Sequence, residues 1–257
     1  MRVSPILGVL VLLPLMALFP ELSGNAQDVS APAVAEVSER LDRLYRSESS
    51  VGRVELQVVT PRRERTLAMR VWSRGMDRSL IVIESPARER GTATLRVERN
   101  LWNYLPRISR TMRVPPSMML GSWMGSDFTN DDLVQGSSFE RDFVGQPGER
   151  SESPRGWLYA FDAREGVVGL WKRIEYVMNE GATYPLLARY YDRRMRLSRT
   201  MTFDEVREMD GRTIPTRLTI RPTQEEGKRT VLRYLEMDFD ADVPESTFSL
   251  SRLERGR

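Results

Sequence analysis

LWNYLPRISRTMRVPPSMMLGSWMGSDFTNDDLV, residues 101–134, is the stretch around which the rest of the chain is arranged. It opens as a short strand, with Trp102 and Tyr104 on one face by the two-residue period and Leu101, Asn103 and Leu105 on the other. Pro106 has no amide hydrogen to give a ladder, so the strand ends there or lies at a sheet edge. A basic segment follows (Arg107, Arg110, Arg113), and Pro115-Pro116 keeps the backbone extended. Met118, Met119, Leu120, Trp123 and Met124 come next, with Gly121 and Gly125 among them. Flexible thioethers beside small residues suit a surface that repacks around cargo. Long loops without regular structure tend to be lids or binding loops. The stretch is therefore read as a cover over an apolar cavity, with ordinary core beneath a loop as the simpler alternative.

On both sides of this cover the pattern is that of strands. Val54, Leu56 and Val58 alternate with Glu55 and Gln57, and Leu67, Met69 and Val71 alternate with Ala68 and Arg70. Residues 78–84 and 92–98 continue the series. Beyond the cover, strands are expected at 139–144, 157–163, 167–178, 185–192, 198–209, 212–221 and 229–239, around a polar loop at 145–156. Asp210-Gly211 is the strongest hairpin signal, because a type I′ turn needs positive φ that glycine supplies freely. Ahead of the strands, Ala33 to Tyr45 places Val34, Val37, Leu41 and Leu44 on one helical stripe, with Ser30 before Pro32 in its cap region. A sheet of about a dozen strands curls, splits or closes. The expected fold is mainly β (α+β): a single antiparallel sheet curled into an unclosed β-barrel. The N-terminal helix and short helices or loops cover its concave apolar face.

Composition narrows the function. The chain has 257 residues, 39 basic against 36 acidic, and neither Cys nor His. Without Cys there is no disulfide and no thiolate chemistry; without His the usual general base and zinc ligand is missing. A net charge of +3 is not a nucleic-acid footprint. Nearly all the positive charge is Arg, spread along strands as a solvated face would be. Arg2, the apolar run Ile6 to Phe19 and the small residues up to Ala26 read as a signal peptide, residues 1–26. That leaves residues 27–257 as a single domain in the periplasm.

Two carboxylate clusters invite chemistry, and each has a plainer reading. Asp127, Asn130, Asp131 and Asp132 lack the Gly and Glu of a calcium loop. Thr129 or Asn130 as a helix N-cap, with Asp131 and Asp132 at the positive helix end, explains them better. Glu205, Glu208 and Asp210 fall at a strand end and turn, where solvation suffices. No enzyme, cofactor or metal site is expected.

The 101–133 stretch, RYYDRRMRLSRTMTFDEVREMDGRTIPTRLTI at 189–220 and STFSLSRLER at 246–255 together resemble the LolA-like family of outer-membrane lipoprotein-sorting proteins. The resemblance runs from the N-terminal helix to Leu253. It implies a periplasmic unclosed β-barrel whose covered cavity holds acyl chains, serving lipid or lipoprotein transport, in some members beside an inner-membrane exporter. On that basis the partners are lipid or lipoprotein acyl chains and an exporter, with no nucleic acid, and the protein is a monomer. The residues expected to line or cover the cavity are Leu67, Met69, Val71, Ile81, Ile83, Leu95, Trp102, Tyr104, Met118, Met119, Trp123 and Met124. Arg107, Arg110 and Arg113 face an anionic head group or simply a solvated edge. The rival class is an adaptor or sensor that docks a membrane partner through the same fold.

Overall fold

Alternation of apolar and polar residues dominates the chain from Ser49 onward, and the computed structural model shows what it builds. Residues 30–134, 138–167 and 169–255 are described; the expected leader, residues 1–26, lies outside them. The strands are β1 (Ser49–Thr60), β2 (Arg63–Arg74), β3 (Arg78–Ser85), β4 (Ala93–Val97), β5 (Asn100–Leu105), β6 (Arg110–Arg113), β7 (Phe143–Gly145), β8 (Glu149–Glu152), β9 (Arg155–Ala163), β10 (Arg173–Met178), β11 (Pro185–Tyr191), β12 (Leu197–Met209), β13 (Arg212–Pro222) and β14 (Arg229–Asp238). The helices are α1 (Val34–Arg43), α2 (Asn130–Val134), α3 (Phe139–Asp142) and α4 (Leu250–Arg255). From Ala31 on, the chain is one compact unit. No helix among the described residues is long and apolar enough to cross a membrane.

The strands form one 14-stranded antiparallel sheet in the order β6-β5-β4-β3-β2-β1-β14-β13-β12-β11-β10-β9-β7, with β8 folded back on β9. Its ends, β6 and β7, are four and three residues long and do not pair with each other among the described residues. The barrel is thus unclosed, as expected. Asp210 and Gly211 turn β12 into β13 with φ of 48° and 73°, the positive pair that a type I′ turn demands.

Three expectations shift. Helix α1 begins one residue later than expected, with Ala33 as a cap that makes no side-chain hydrogen bond. Residues 139–144 are not one strand. The Ser138 hydroxyl accepts the Arg141 amide at 3.2 Å and the Asp42 carboxylate accepts the Phe139 amide at 2.9 Å, so the segment caps and coils into α3 before β7. Within the polar loop at 145–156, β8 forms a hairpin with β9.

Two clusters pack on the inner face. One joins β9–β13 to Val37 of α1. The other joins Val54, Leu56, Leu67, Met69 and Ile83 to Trp123. A third cluster lies on the outer face. There Leu80 pairs with Leu95, and Leu95 with Trp102, under Val243, Phe248 and Leu253 of the C-terminal segment. Elsewhere the outer face is a lattice of arginine–carboxylate pairs: Arg173–Asp162, Arg189–Glu175, Arg217–Asp204 and Arg233–Glu55. This is the solvated arginine face that composition suggests.

Leu253 of that C-terminal strap is fully buried against the outer face of the sheet. Leu253→Ala should therefore cost about 2–5 kcal/mol, read as a lowered midpoint in denaturant unfolding with an unchanged slope.

Candidate functional site

Strand register sets out the inner face as rows. Val54 lies opposite Met69, and Met69 opposite Ile83. One step along, Gly52 is followed by Val71, Ile81 and Thr94. The next step is polar: Ser50 faces Ser73, Ser73 faces Ser79, and Ser79 faces Arg96. The Ser50 and Ser73 hydroxyls are hydrogen-bonded at 2.7 Å. Between these rows, the helices and the inner residues of the opposite half lies a cavity of about 410 Å³, within the range of small-ligand sites. Its walls include Leu41 and Tyr45, Val71 and Ile81, Trp123 and Leu133, Phe139 and Phe143, and Tyr176, Leu232 and Tyr234. Tyr45 and Tyr234 stack in parallel, ring centroids 4.6 Å apart. Burial raises the hydroxyl pKa of Tyr45, Tyr176, Tyr190 and Tyr234, so these groups stay neutral; the Tyr45 hydroxyl donates to the Pro215 carbonyl at 2.8 Å and those of Tyr176 and Tyr190 bond each other at 3.2 Å.

The cover is knitted to itself and to the sheet. The Asn130 side-chain amide donates to the carbonyls of Met118 and Gly121 at 3.0 and 3.3 Å, which folds the Met-rich loop back onto α2. Thr129 and Asp132 cap each other: the Asp132 amide donates to the Thr129 hydroxyl at 3.1 Å, and the Thr129 amide to the Asp132 carboxylate at 2.8 Å. That carboxylate does more than cap. It receives both terminal nitrogens of Arg199 at 2.8 Å, and the Arg199 guanidinium lies over the rings of both Trp171 and Tyr190, 4.4 Å from each centroid. Burial alone would raise the Asp132 pKa, but the Arg199 guanidinium and the Thr129 hydrogen bonds hold it below the usual carboxylate range. Asp127 is fastened in turn to Lys228 at 3.2 Å and to the Thr230 hydroxyl at 2.8 Å. Arg65, paired with Glu89 at 3.2 Å, donates to the Met124 carbonyl. Trp123 donates its indole N–H to Thr94 at 3.1 Å.

Of the residues expected at the cavity, Met69, Val71, Ile81 and Trp123 line it. Trp123, 4% exposed, is cover and core at once. Leu67, Ile83 and Met124 pack in the cluster with Trp123 and stand back from the open space. Leu95, Trp102 and Tyr104 lie on the outer face against the C-terminal strap. Met118 is 59% exposed and Met119 half-buried. Of the second carboxylate cluster, Glu205 pairs with Arg217 at 2.9 Å and Asp210 accepts the Phe239 amide at 2.6 Å. Sequence reasoning missed Arg46, Arg96 and Arg199, which all line the cavity. The signal for Arg96 was its two-residue offset from Thr94: had the facing of β4 been read the other way, both would have pointed inward.

An open antiparallel sheet wrapped on a covered apolar cavity defines a class, the LolA-like fold. Solved structures share it: a DUF1329 family protein from Desulfovibrio piger, 24% identical over 85% of this chain and 96% of that one, with a TM-score of 0.76; an outer membrane lipoprotein-sorting protein domain from Vibrio parahaemolyticus, 22% identical over 86% and 97%, TM-score 0.71; and a LolA superfamily protein from Nitrosomonas europaea, 23% identical over 86% and 100%, TM-score 0.72. Residues 75–255 match a family model described as "-like: Uncharacterized protein", and the chain belongs to that family. No curated protein matches it.

The Asp132–Arg199 pair should make the fold acid-labile. A carboxyl held below its ordinary value of 3.8 contributes its full stability above that pH and loses it as pH falls through the lower folded value. Asp132→Asn leaves Arg199 buried and unpaired, and should cost about 3–5 kcal/mol at neutral pH. It should also flatten the loss of stability below pH 3.8 when thermal midpoints are measured across pH.

Proposed function

We propose that the protein is an exported periplasmic carrier that takes the acyl chains of lipids or lipoproteins into this cavity and performs no chemistry on them. The observation that carries the reading is the cavity itself. Its walls are mainly apolar residues from both halves of one sheet, and its cover is latched by a buried ion pair. Each methylene moved from water into such walls gains about 0.8 kcal/mol, so even one chain would be held firmly. Release then needs a partner that unlatches the cover, and an inner-membrane exporter on the loading side fits the same scheme. The carrier acts as a monomer, because the sheet encloses its own cavity. Residues 1–26 would be removed on export, leaving Gln27 first.

The adaptor reading has one observation of its own. Ile108, Met112, Met118 and Leu120 are exposed together with the unpaired edge of β6, a surface on which another protein could add a strand. Complex formation with an empty cavity would favour it over carriage.

Val71 and Ile81 line the cavity without being fully buried, so Val71→Asp and Ile81→Asp should fold. Each puts a carboxylate where an acyl chain must lie, and fluorescent fatty-acid binding should weaken at least about tenfold. Wild-type protein that carries no lipid by mass spectrometry and takes up no fatty acid would end the carrier proposal. N-terminal sequencing of protein from the soluble envelope fraction tests the export step, with Gln27 the expected first residue.

A further inference from the structure

Two buried arginines stand on the inner face of the sheet, and the protein neutralises only one of them. Arg199 meets Asp132 in a two-pronged pair. Arg96, 9% exposed, spends its Nε on the Glu98 carbonyl at 3.1 Å. Among the described residues its two terminal nitrogens have no hydrogen-bond acceptor and no carboxylate within ion-pair distance. Arg46, just beyond α1, lines the same cavity, and its Nη1 donates only to the Met76 thioether at 3.3 Å, in the β2–β3 turn. The acidic groups acting on this end are Asp42 and Asp77. Asp42 is occupied by the Ser138 hydroxyl at 3.0 Å and the Phe139 amide at 2.9 Å. Asp77 sits in the β2–β3 turn. Neither forms an ion pair with Arg46 or Arg96 among the described residues.

Burial pulls the Arg96 pKa down to about 10, with repulsion from Arg46 adding to it, and burial lowers Arg46 as well. Two guanidiniums sharing a desolvated end are costly until an anion joins them. The serine hydroxyls of the same register row, Ser50, Ser73 and Ser79, add donors beside Arg96. Immediately next to this row the inner face turns apolar, through Val71 and Ile81 to Val54 and Met69. A ligand that satisfies both regions has a charged oxygen head and a hydrocarbon tail.

We propose that Arg96 and Arg46 form an oxyanion subsite at the polar end of the cavity. It receives the carboxylate or phosphate head of an amphiphile whose chain lies along the apolar rows. This rests on the carrier reading and narrows it: the cargo is anionic, and the head group, not the tail, sets the direction in which it lies. A charged oxygen between two guanidiniums makes short, charge-assisted hydrogen bonds, and an uncharged head forfeits them.

The test compares binding of oleate, 1-oleoyl lysophosphatidic acid, monooleoylglycerol and inorganic phosphate to the purified protein and to Arg96→Gln and Arg46→Gln. Wild type should bind at least one anionic amphiphile about tenfold or more tightly than monooleoylglycerol, the worth of a charge-assisted hydrogen bond. The stronger of oleate and the phosphate monoester identifies the head group. Arg96→Gln should abolish the preference and leave monooleoylglycerol binding intact, and Arg46→Gln should reduce the same preference. Equal wild-type affinity for all the amphiphiles overturns the subsite while carriage stands; binding of none overturns both. Inorganic phosphate held as tightly as the lipid monoester, and lost in Arg96→Gln, overturns the lipid assignment in favour of a free oxyanion. Should Arg96→Gln fail to fold, as a collapsed thermal midpoint would show, an unchanged preference in Arg46→Gln overturns the proposal alone.

Discussion

Arg199 is placed on the inner face of β12 by its register opposite Tyr190, and a guanidinium there must be neutralised without water. Much of the cover follows from that constraint. The carboxylate has to arrive from above the sheet, so α2 must start where Asp132 can reach down, and Thr129 must precede it to close the reciprocal cap. Asp127 is then carried to Lys228 and Thr230 on the β14 side. Leaving either member of the Asp132–Arg199 pair alone is expensive, whereas a pair of apolar residues in its place could be as stable. The pair therefore specifies where the cover lies more than how tightly it is held.

Given a cover in that position, the space beneath it is a matter of side-chain size. Trp123 reaches the sheet at Thr94 and closes one side of the gap. The stacked Tyr45 and Tyr234 and the Phe139–Phe143 contact fill another. Between them the sheet presents the small side chains of Ser50 and Ser73, which line the hollow, whereas the space above Gly52 is taken by the side chain of Met237 from β14. The hollow thus arises from small residues on a curved wall beneath a cover that cannot sink further.

Strands were legible from alternation, α1 from its helical stripe, and the β12–β13 hairpin from Asp210-Gly211. The Met-rich long loop marked the cover and the number of strands the curled sheet, and the resemblance agreed with both. Facing was not legible in β3–β5, for a physical reason. Leu80 and Val82 pack against the C-terminal strap while Ile81 and Ile83 face inward, so both sides are apolar and the two-residue period no longer distinguishes them. That is why Leu95, Trp102 and Tyr104 were read as cavity residues. Phe139 and Phe143 are four apart, a spacing shared by strand and helix, and the Asp42 cap that decides between them lies far upstream. The Asp132 cap was readable locally. Its partner Arg199 is 67 residues away, where one sequence offers no sign of the pairing.

The C-terminal strap has a mechanical consequence. It sandwiches the β2–β5 side of the sheet between two apolar layers, whereas the outer face of β9–β12 carries salt bridges open to solvent, each worth about 0–1 kcal/mol. With no ladder joining β6 to β7 among the described residues, bending is concentrated in the less braced flank. The wall bearing Ser79 and Arg96 acts as an anvil, and the opposite wall as a spring. Under the carrier proposal, a bulkier guest would widen the aperture by deflecting the spring, so fit at the polar end and tolerance for tail size would come from different flanks of one continuous sheet.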